Sequence, residues 1–186
     1  MIAHPTPIEG VVVVDTEVRR DDRGEFARLF CEATLASLMG GRHVVQVNRS
    51  LTRKTGSIRG LHFQHVPHAE TKFVRCLRGR VFDVAVDLRE RSSTFLRWHA
   101  VELSPENTRM LVIPDGCAHG FQTLAPDCEL LYLHTAAYAP AAEGGVAWND
   151  ARIGVEWPLG TPPGGGLSPR DAGLPRLSAQ FGGLPW

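Results

Sequence analysis

The stretch "IPDGCAHGF" spans residues 113–121 and carries the pattern Pro114-x-Gly116-x-x-His119. Proline fixes its own φ near about −65° and glycine takes positive φ without penalty, so the two together set a tight turn. Apolar runs flank it, "RMLVIP" (109–114) before and "HGFQTL" (119–124) after. The local reading is strand, turn, strand, with His119 opening the second strand. A turn with an unrelated histidine would look the same, so the weight rests on what surrounds it. Outward from this point the chain repeats one theme. "GVVVVD" (10–15), "HVVQVNRS" (43–50), "RWHAVEL" (97–103) and "CELLYLHTAAY" (128–138) are further β-type runs. In the second of these, Val44, Gln46 and Asn48 alternate onto one face. "KFVRCLRGRVFDVAVDL" (72–88) breaks at Arg78, Gly79 and Arg80, as two strands of a hairpin do. Turn residues recur at intervals of roughly 8–12 residues, the spacing of an all-β sandwich or barrel.

Little else competes with that pattern. "CEATLASLMGG" (31–41) reads as one short helix, with Ala33, Leu35, Leu38 and Met39 apolar and two glycines as the stop. "SPENT" (104–108) reads as a second short turn. "PLGTPPGGG" (158–166) cannot hold regular structure and is read as a loop or linker, leaving 159–186 as an irregular C-terminal segment of a single domain over 1–186.

Composition narrows the partners. The chain has 186 residues, with 20 basic and 20 acidic side chains and a formal net charge of zero. No long run of one sign occurs, so neither nucleic acid nor an anionic membrane surface is expected as a partner. The four cysteines, Cys31, Cys76, Cys117 and Cys128, form no C-x-x-C pair and are expected to be reduced thiols. The first fifteen residues hold only a four-valine apolar run and no basic segment, so no secretory leader is expected. The cytoplasm is the expected compartment.

"RGLHFQHVPHAETK" (59–72) gathers His62, His65, His68, Glu70 and Lys72. His65 and His68 are read as loop histidines rather than ligands. Pro114-x-Gly116-x-x-His119 resembles the second sequence motif of the cupins, whose fold is a double-stranded β-helix or jelly roll. A metal-binding cupin carries a first motif with H-x-H; here His62 is followed by Phe63 and Gln64. An amide oxygen is a poor ligand for zinc or iron beside imidazole or carboxylate, so no metal site and no cofactor are expected.

A longer set of motifs is more specific. "RGLHFQ" (59–64), Lys72, "GRVFDVAVDLR" (79–89), "STF" (93–95), "IPDGCAHGF" (113–121), "YLHTAAYAP" (132–140), "WND" (148–150), "IGVEWP" (153–158) and "LSPRD" (167–171) occur in that order. Together, from about residue 10 to residue 171, they resemble the dTDP-4-dehydrorhamnose 3,5-epimerase family of metal-free cupins. The resemblance implies an all-β jelly roll with one or two short helices, acting as a homodimer whose N-terminal strands reach the partner. It implies a nucleotide-diphosphate sugar as substrate and an isomerase of deoxysugar biosynthesis.

The chemistry such a reaction needs can be stated in advance. A 4-keto sugar has acidic C–H bonds at C3 and C5. Inversion takes a base, a donor or cation for the enolate oxygen, and an acid on the other ring face. By resemblance His62 is the base, Asp171 the carboxylate that orients it, Lys72 the enolate cation and Tyr132 the acid. A phenol with a pKa of about 10 is protonated at neutral pH and can donate. Arg23, Gln46, Asn48, Arg59, His119, Glu143 and Arg170 match substrate-contact positions, and arginine's planar fork suits phosphate oxygens. Tyr138 matches an aromatic that stacks on thymine. Two positions depart from the family's pattern: Arg28 stands where an acidic residue is common, and Val47 where Asp is. Both fall in segments tied to nucleotide recognition, which leaves a thymidine- or cytidine-linked sugar open, with thymidine favoured. Inversion at C3 only or C5 only, 3,4-ketoisomerisation on the same fold, and a non-catalytic sugar-nucleotide binder are the alternatives.

Overall fold

The computed structural model describes residues 1–186. Its strands are β1 (Ile2–Pro5), β2 (Val12–Asp15), β3 (Val18–Asp21), β4 (Gly24–Ala27), β5 (Gln46–Thr52), β6 (Ile58–Gln64), β7 (Lys72–Arg78), β8 (Val81–Asp87), β9 (Trp98–Leu103), β10 (Met110–Ile113), β11 (Cys117–Thr123), β12 (Cys128–His134) and β13 (Glu143–Gly145). Two one-turn helices, α1 (Glu32–Leu35) and α2 (Pro169–Ala172), complete the set. Neither is long enough to cross a membrane.

Two antiparallel sheets face each other. One has the order β1-β2-β10-β7-β12-β5 and the other β13-β6-β11-β8-β9. The Pro114–Gly116 turn joins β10 of the first to β11 of the second, so it carries the chain from one layer to the other. Gly116 sits at φ +76°, and a Cβ there would come within 2.4 Å of the Arg89 side chain. A third, two-stranded sheet is the β3–β4 hairpin, which pairs with neither layer.

Strand alternation gives each layer two faces. The inward residues Val74, Cys76, Val81, Ala85, Leu111, Phe121 and Leu130 form the core between the layers. The outer face of the six-stranded sheet buries Val14, Phe73, Met110 and Leu133 under Leu35 and Met39 from the helical segment. The outer face of the five-stranded sheet buries Leu61, Val84, Val86 and Ala118 under Ile153, Trp157 and Leu184. Each of the larger aliphatic and aromatic side chains contributes roughly 1.5–3 kcal/mol on leaving water. The C-terminal segment, whose one regular element is the short α2, is therefore part of the core; Leu184 bridges to Arg89.

The helix expected over 31–41 is shorter: α1 followed by a 3₁₀ turn at Ala36–Leu38. Its N-cap, Cys31, makes no side-chain cap, and Gly40 and Gly41 both have positive φ, so nothing extends it at either end. Val44 lies before β5 and packs with the helical segment instead of facing inward.

Candidate active site

One strand decides which side chains meet. Along β6, His62 pairs with His119 and Arg59 with Phe121, three steps on β6 against two on β11. This bulge at Gly60 turns both Arg59 and His62 inward, where strict alternation would put them on opposite faces. Gly60 is at φ +119°, and a Cβ on it would lie 2.6 Å from Gly120 Cα and 2.7 Å from the His119 carbonyl oxygen. Only glycine fits there.

The inward residues near this bulge line a cavity of about 550 Å³ between the sheets. His62 and His119 enter from the five-stranded sheet; Lys72 and Tyr132 enter from the six-stranded sheet. Asp171 arrives from α2. His62 Nε2 donates to Asp171 Oδ1 at 2.7 Å, and Asp171 is 6% exposed at its side chain. Burial works to raise the Asp171 carboxyl. The hydrogen bonds and charge from His62, together with Ser168 and Arg170, outweigh it and hold the group below the usual carboxylate range. Ser168 caps α2 by accepting from Asp171 N at 3.0 Å, which sets the direction of the carboxylate. With Nε2–H committed to Asp171, a neutral His62 carries its lone pair on Nδ1.

Tyr132 OH lies 3.1 Å from Ser50 Oγ. Burial pushes the phenol above its ordinary value, so it is a protonated donor. Lys72 Nζ donates to the His62 carbonyl oxygen at 3.1 Å and lies 3.2 Å from Glu70 Oε1. Beyond them His134 stacks near Tyr132, with ring centroids 6.2 Å apart and planes 19° apart. Burial first, then the charges of Lys72 and His119, lower His134 to about 4, so it is neutral at physiological pH. His119 Nε2 donates to Asp83 Oδ1 at 2.8 Å.

The rim is polar. Tyr138 OH donates to Glu143 Oε2 at 3.0 Å, and Arg170 pairs with the other oxygen of Glu143. Asn48 Nδ2 approaches His134 Nε2 at 3.3 Å, and Arg59 lines the opposite wall. Gly165, Gly166 and Leu167 close one side, so the Pro/Gly stretch read as a loop or linker is a wall of the cavity.

Of the residues singled out in the sequence, His62, Lys72, Tyr132, Asp171, Asn48, Arg59, His119, Tyr138, Glu143 and Arg170 line this cavity. Two do not. Gln46 stands behind Tyr138, accepting from its backbone N–H at 2.9 Å. Arg23 is on the β3–β4 hairpin, paired to Asp21 at 2.6 Å with its side chain 90% exposed. Val47 faces out, 57% exposed, and Arg28 lies beside the same hairpin. Ser50, Glu70 and His134 line the cavity without having been singled out for it. Each lies two residues from a recognised position on a strand or its edge, so the two-residue period would have found them.

Facing sheets that bring a histidine–carboxylate pair, a buried lysine and a buried phenol to one cavity define a cupin-type jelly roll equipped for proton transfer. A family model described as dTDP-4-dehydrorhamnose 3,5-epimerase matches residues 5–179. The chain belongs to the dTDP-4-dehydrorhamnose 3,5-epimerase family, whose members are isomerases of nucleotide-linked sugars. It is 46% identical over 178 residues to the dTDP-4-dehydrorhamnose 3,5-epimerase of Salmonella typhimurium strain LT2, covering 95% of this chain and 96% of that one. A dTDP-4-dehydrorhamnose 3-epimerase of Streptomyces niveus is 38% identical, covering 92% and 81% respectively. The fold superposes with a TM-score of 0.89 on the crystal structure of dTDP-6-deoxy-D-glucose-3,5-epimerase from Legionella pneumophila Philadelphia 1 in complex with dTDP-4-keto-L-rhamnose. That pair shares 36% identity, with 99% of this chain and 97% of the other covered.

Proposed function

We propose that this chain inverts C3 and C5 of a dTDP-linked 4-keto-6-deoxyhexose, serving deoxysugar biosynthesis. His62, oriented by Asp171, removes the proton next to the carbonyl. The Lys72 ammonium receives the charge that develops on the enolate oxygen. Tyr132 returns a proton to the opposite ring face. The observation that carries this reading is the placement of His62 and Tyr132 on opposite sheets of one cavity, the arrangement inversion needs and simple binding does not. A low-dielectric site strengthens the Lys72 contribution as charge develops.

At the rim, Arg59 and Arg170 suit the diphosphate, and the half-exposed Tyr138 ring offers the base a stacking surface. Asn48, Glu143 and His119 are assigned to substrate contact beside them. The chain acts as a homodimer. Phe26, Val45 and Val47 are 68%, 61% and 57% exposed, and the β3–β4 hairpin, which pairs with neither layer, carries Arg23 outward with Arg28 just past its end. In a dimer, that hairpin brings Arg23 to the partner's cavity. The working compartment is the cytoplasm, in keeping with four unpaired cysteines.

The test is incubation with dTDP-4-keto-6-deoxyglucose in D2O, reading deuterium at C3 and C5 by NMR. Label at both carbons with an L-configured product is expected. Label at C3 alone would make the chain a 3-epimerase like its Streptomyces relative. A carbonyl moved to C3 would make it a ketoisomerase, and unlabelled substrate a binder only.

A further inference from the structure

Gln64 and Glu70 take no part in the steps above, yet both line the cavity at 7% exposure. Gln64 occupies the position where a metal-binding relative of this fold would place its second histidine. Its amide is fully used. Nε2 donates to the Glu70 carboxylate and to the His68 carbonyl at 2.9 Å, while Oε1 accepts from Ala139 N at 2.7 Å. Ala139 follows Tyr138, so one end of this amide holds the rim and the other holds Glu70.

Glu70 in turn offers one oxygen to each neighbour: Oε2 to Gln64 and Oε1 to Lys72 Nζ at 3.2 Å. The same ammonium donates to the His62 carbonyl oxygen at 3.1 Å. An ammonium has three N–H bonds in tetrahedral array. Two directions are taken by these oxygens, so the third is fixed, and Lys72 lines the cavity. Lysine's flexible four-carbon stem gives no such precision by itself.

We propose that Glu70, itself held by Gln64, is a positioning residue that aims one N–H of Lys72 at the developing enolate oxygen. The assignment rests on Lys72 being the enolate cation. A carboxylate is needed at position 70 because two donors must be accepted at once, one on each oxygen. Glutamine there keeps the volume and one acceptor for Lys72, but its own NH₂ faces the NH₂ of Gln64.

The test is steady-state kinetics on dTDP-4-keto-6-deoxyglucose with four proteins: unaltered, Glu70→Ala, Glu70→Gln and Lys72→Met. Misplacing a reacting group by about 1 Å can cost on the order of 10²-fold. Glu70→Ala is expected to lower kcat by about 10- to 100-fold with KM within about threefold, because substrate binding at the rim is untouched. Glu70→Gln is expected to recover part of that loss, and it carries the test should the alanine variant not fold. Lys72→Met is expected to abolish proton exchange. Full activity in Lys72→Met would overturn the enolate role and the positioning with it. An inactive Lys72→Met beside unchanged kcat in Glu70→Gln, or a rise in KM alone, would overturn the positioning and leave the enolate role standing.

Discussion

Two histidines that line the same cavity are each paired with a carboxylate at nearly the same spacing, 2.7 Å for His62–Asp171 and 2.8 Å for His119–Asp83. Their surroundings set them apart. Asp171 sits on the C-terminal segment, where hydrogen bonds from His62 and Ser168 outweigh burial and keep it ionised. Asp83 is completely buried on β8, and its Oδ2 has no partner. Burial there outweighs the His119 interaction and raises the carboxyl. An ionised carboxylate orients a histidine and stabilises the imidazolium that forms on proton abstraction; a carboxyl that resists ionisation does much less of this. Geometry alone would allow either histidine to be the base. The contrast in their carboxylates favours the role proposed for His62.

That contrast is open to direct attack. The largest effect is expected from His62→Asn, with kcat down by at least about 10³-fold and deuterium exchange at C3 and C5 lost together. His119→Asn should retain exchange, and loss of exchange there would reverse the assignment. Next comes Asp171→Asn, expected to lower kcat by about 10²–10³-fold, against less than about tenfold for Asp83→Asn. Equal losses in the two would end the distinction.

Stability should separate the same two carboxyls by pH. The folded pKa of Asp171 is lowered, so its contribution is present above the unfolded value of about 3.9 and is lost as pH falls through the lowered value. The folded pKa of Asp83 is raised, so its contribution is present below about 3.9 and is lost as pH rises through the raised value. Asp171→Asn should therefore lower Tm at pH 7, and Asp83→Asn should raise it. A change of about 1 kcal/mol moves Tm by about 2–4 °C in a chain of this size. Both differences should shrink at pH 3, and calorimetry at the two pH values checks the signs. The smallest effect is expected from chelation. EDTA should leave turnover unchanged, because His62 Nε2 is held by Asp171 and Gln64 by Glu70 and Ala139. Loss of turnover restored by one metal would contradict this.

The sequence made the strands around the Pro114–Gly116 turn legible because apolar runs on either side of it marked them. It did not mark β6, since the bulge at Gly60 interrupts the period between Arg59 and His62. The β3–β4 hairpin escaped for a different reason: "VRRDDRGEFA" (18–27) pairs with neither layer and has no buried residue to reveal it. The His62–Asp171 pair, 109 residues apart in the chain, was legible only through family resemblance. No local pattern foretells where the C-terminal segment will fold back. Glu70 was hidden among loop histidines, although its two-residue spacing from Lys72 was on the page. The opposed pKa directions of Asp83 and Asp171 could not be read at all, because burial belongs to the fold and not to the residue type.

The division of labour between the two sheets has one most direct test. Tyr132→Phe removes the proposed acid from the six-stranded sheet and leaves His62, Asp171 and Lys72 in place. With dTDP-4-keto-6-deoxyglucose in D2O, the variant should still incorporate deuterium, because His62 can form the enolate and quench it on the face it came from. Inversion should fall by about 10²–10⁴-fold, the usual worth of a positioned acid. NMR of the recovered sugar reads both quantities together. Deuterium with retained configuration is the expected result; inversion at close to the unaltered rate would show that the proton comes from somewhere other than Tyr132.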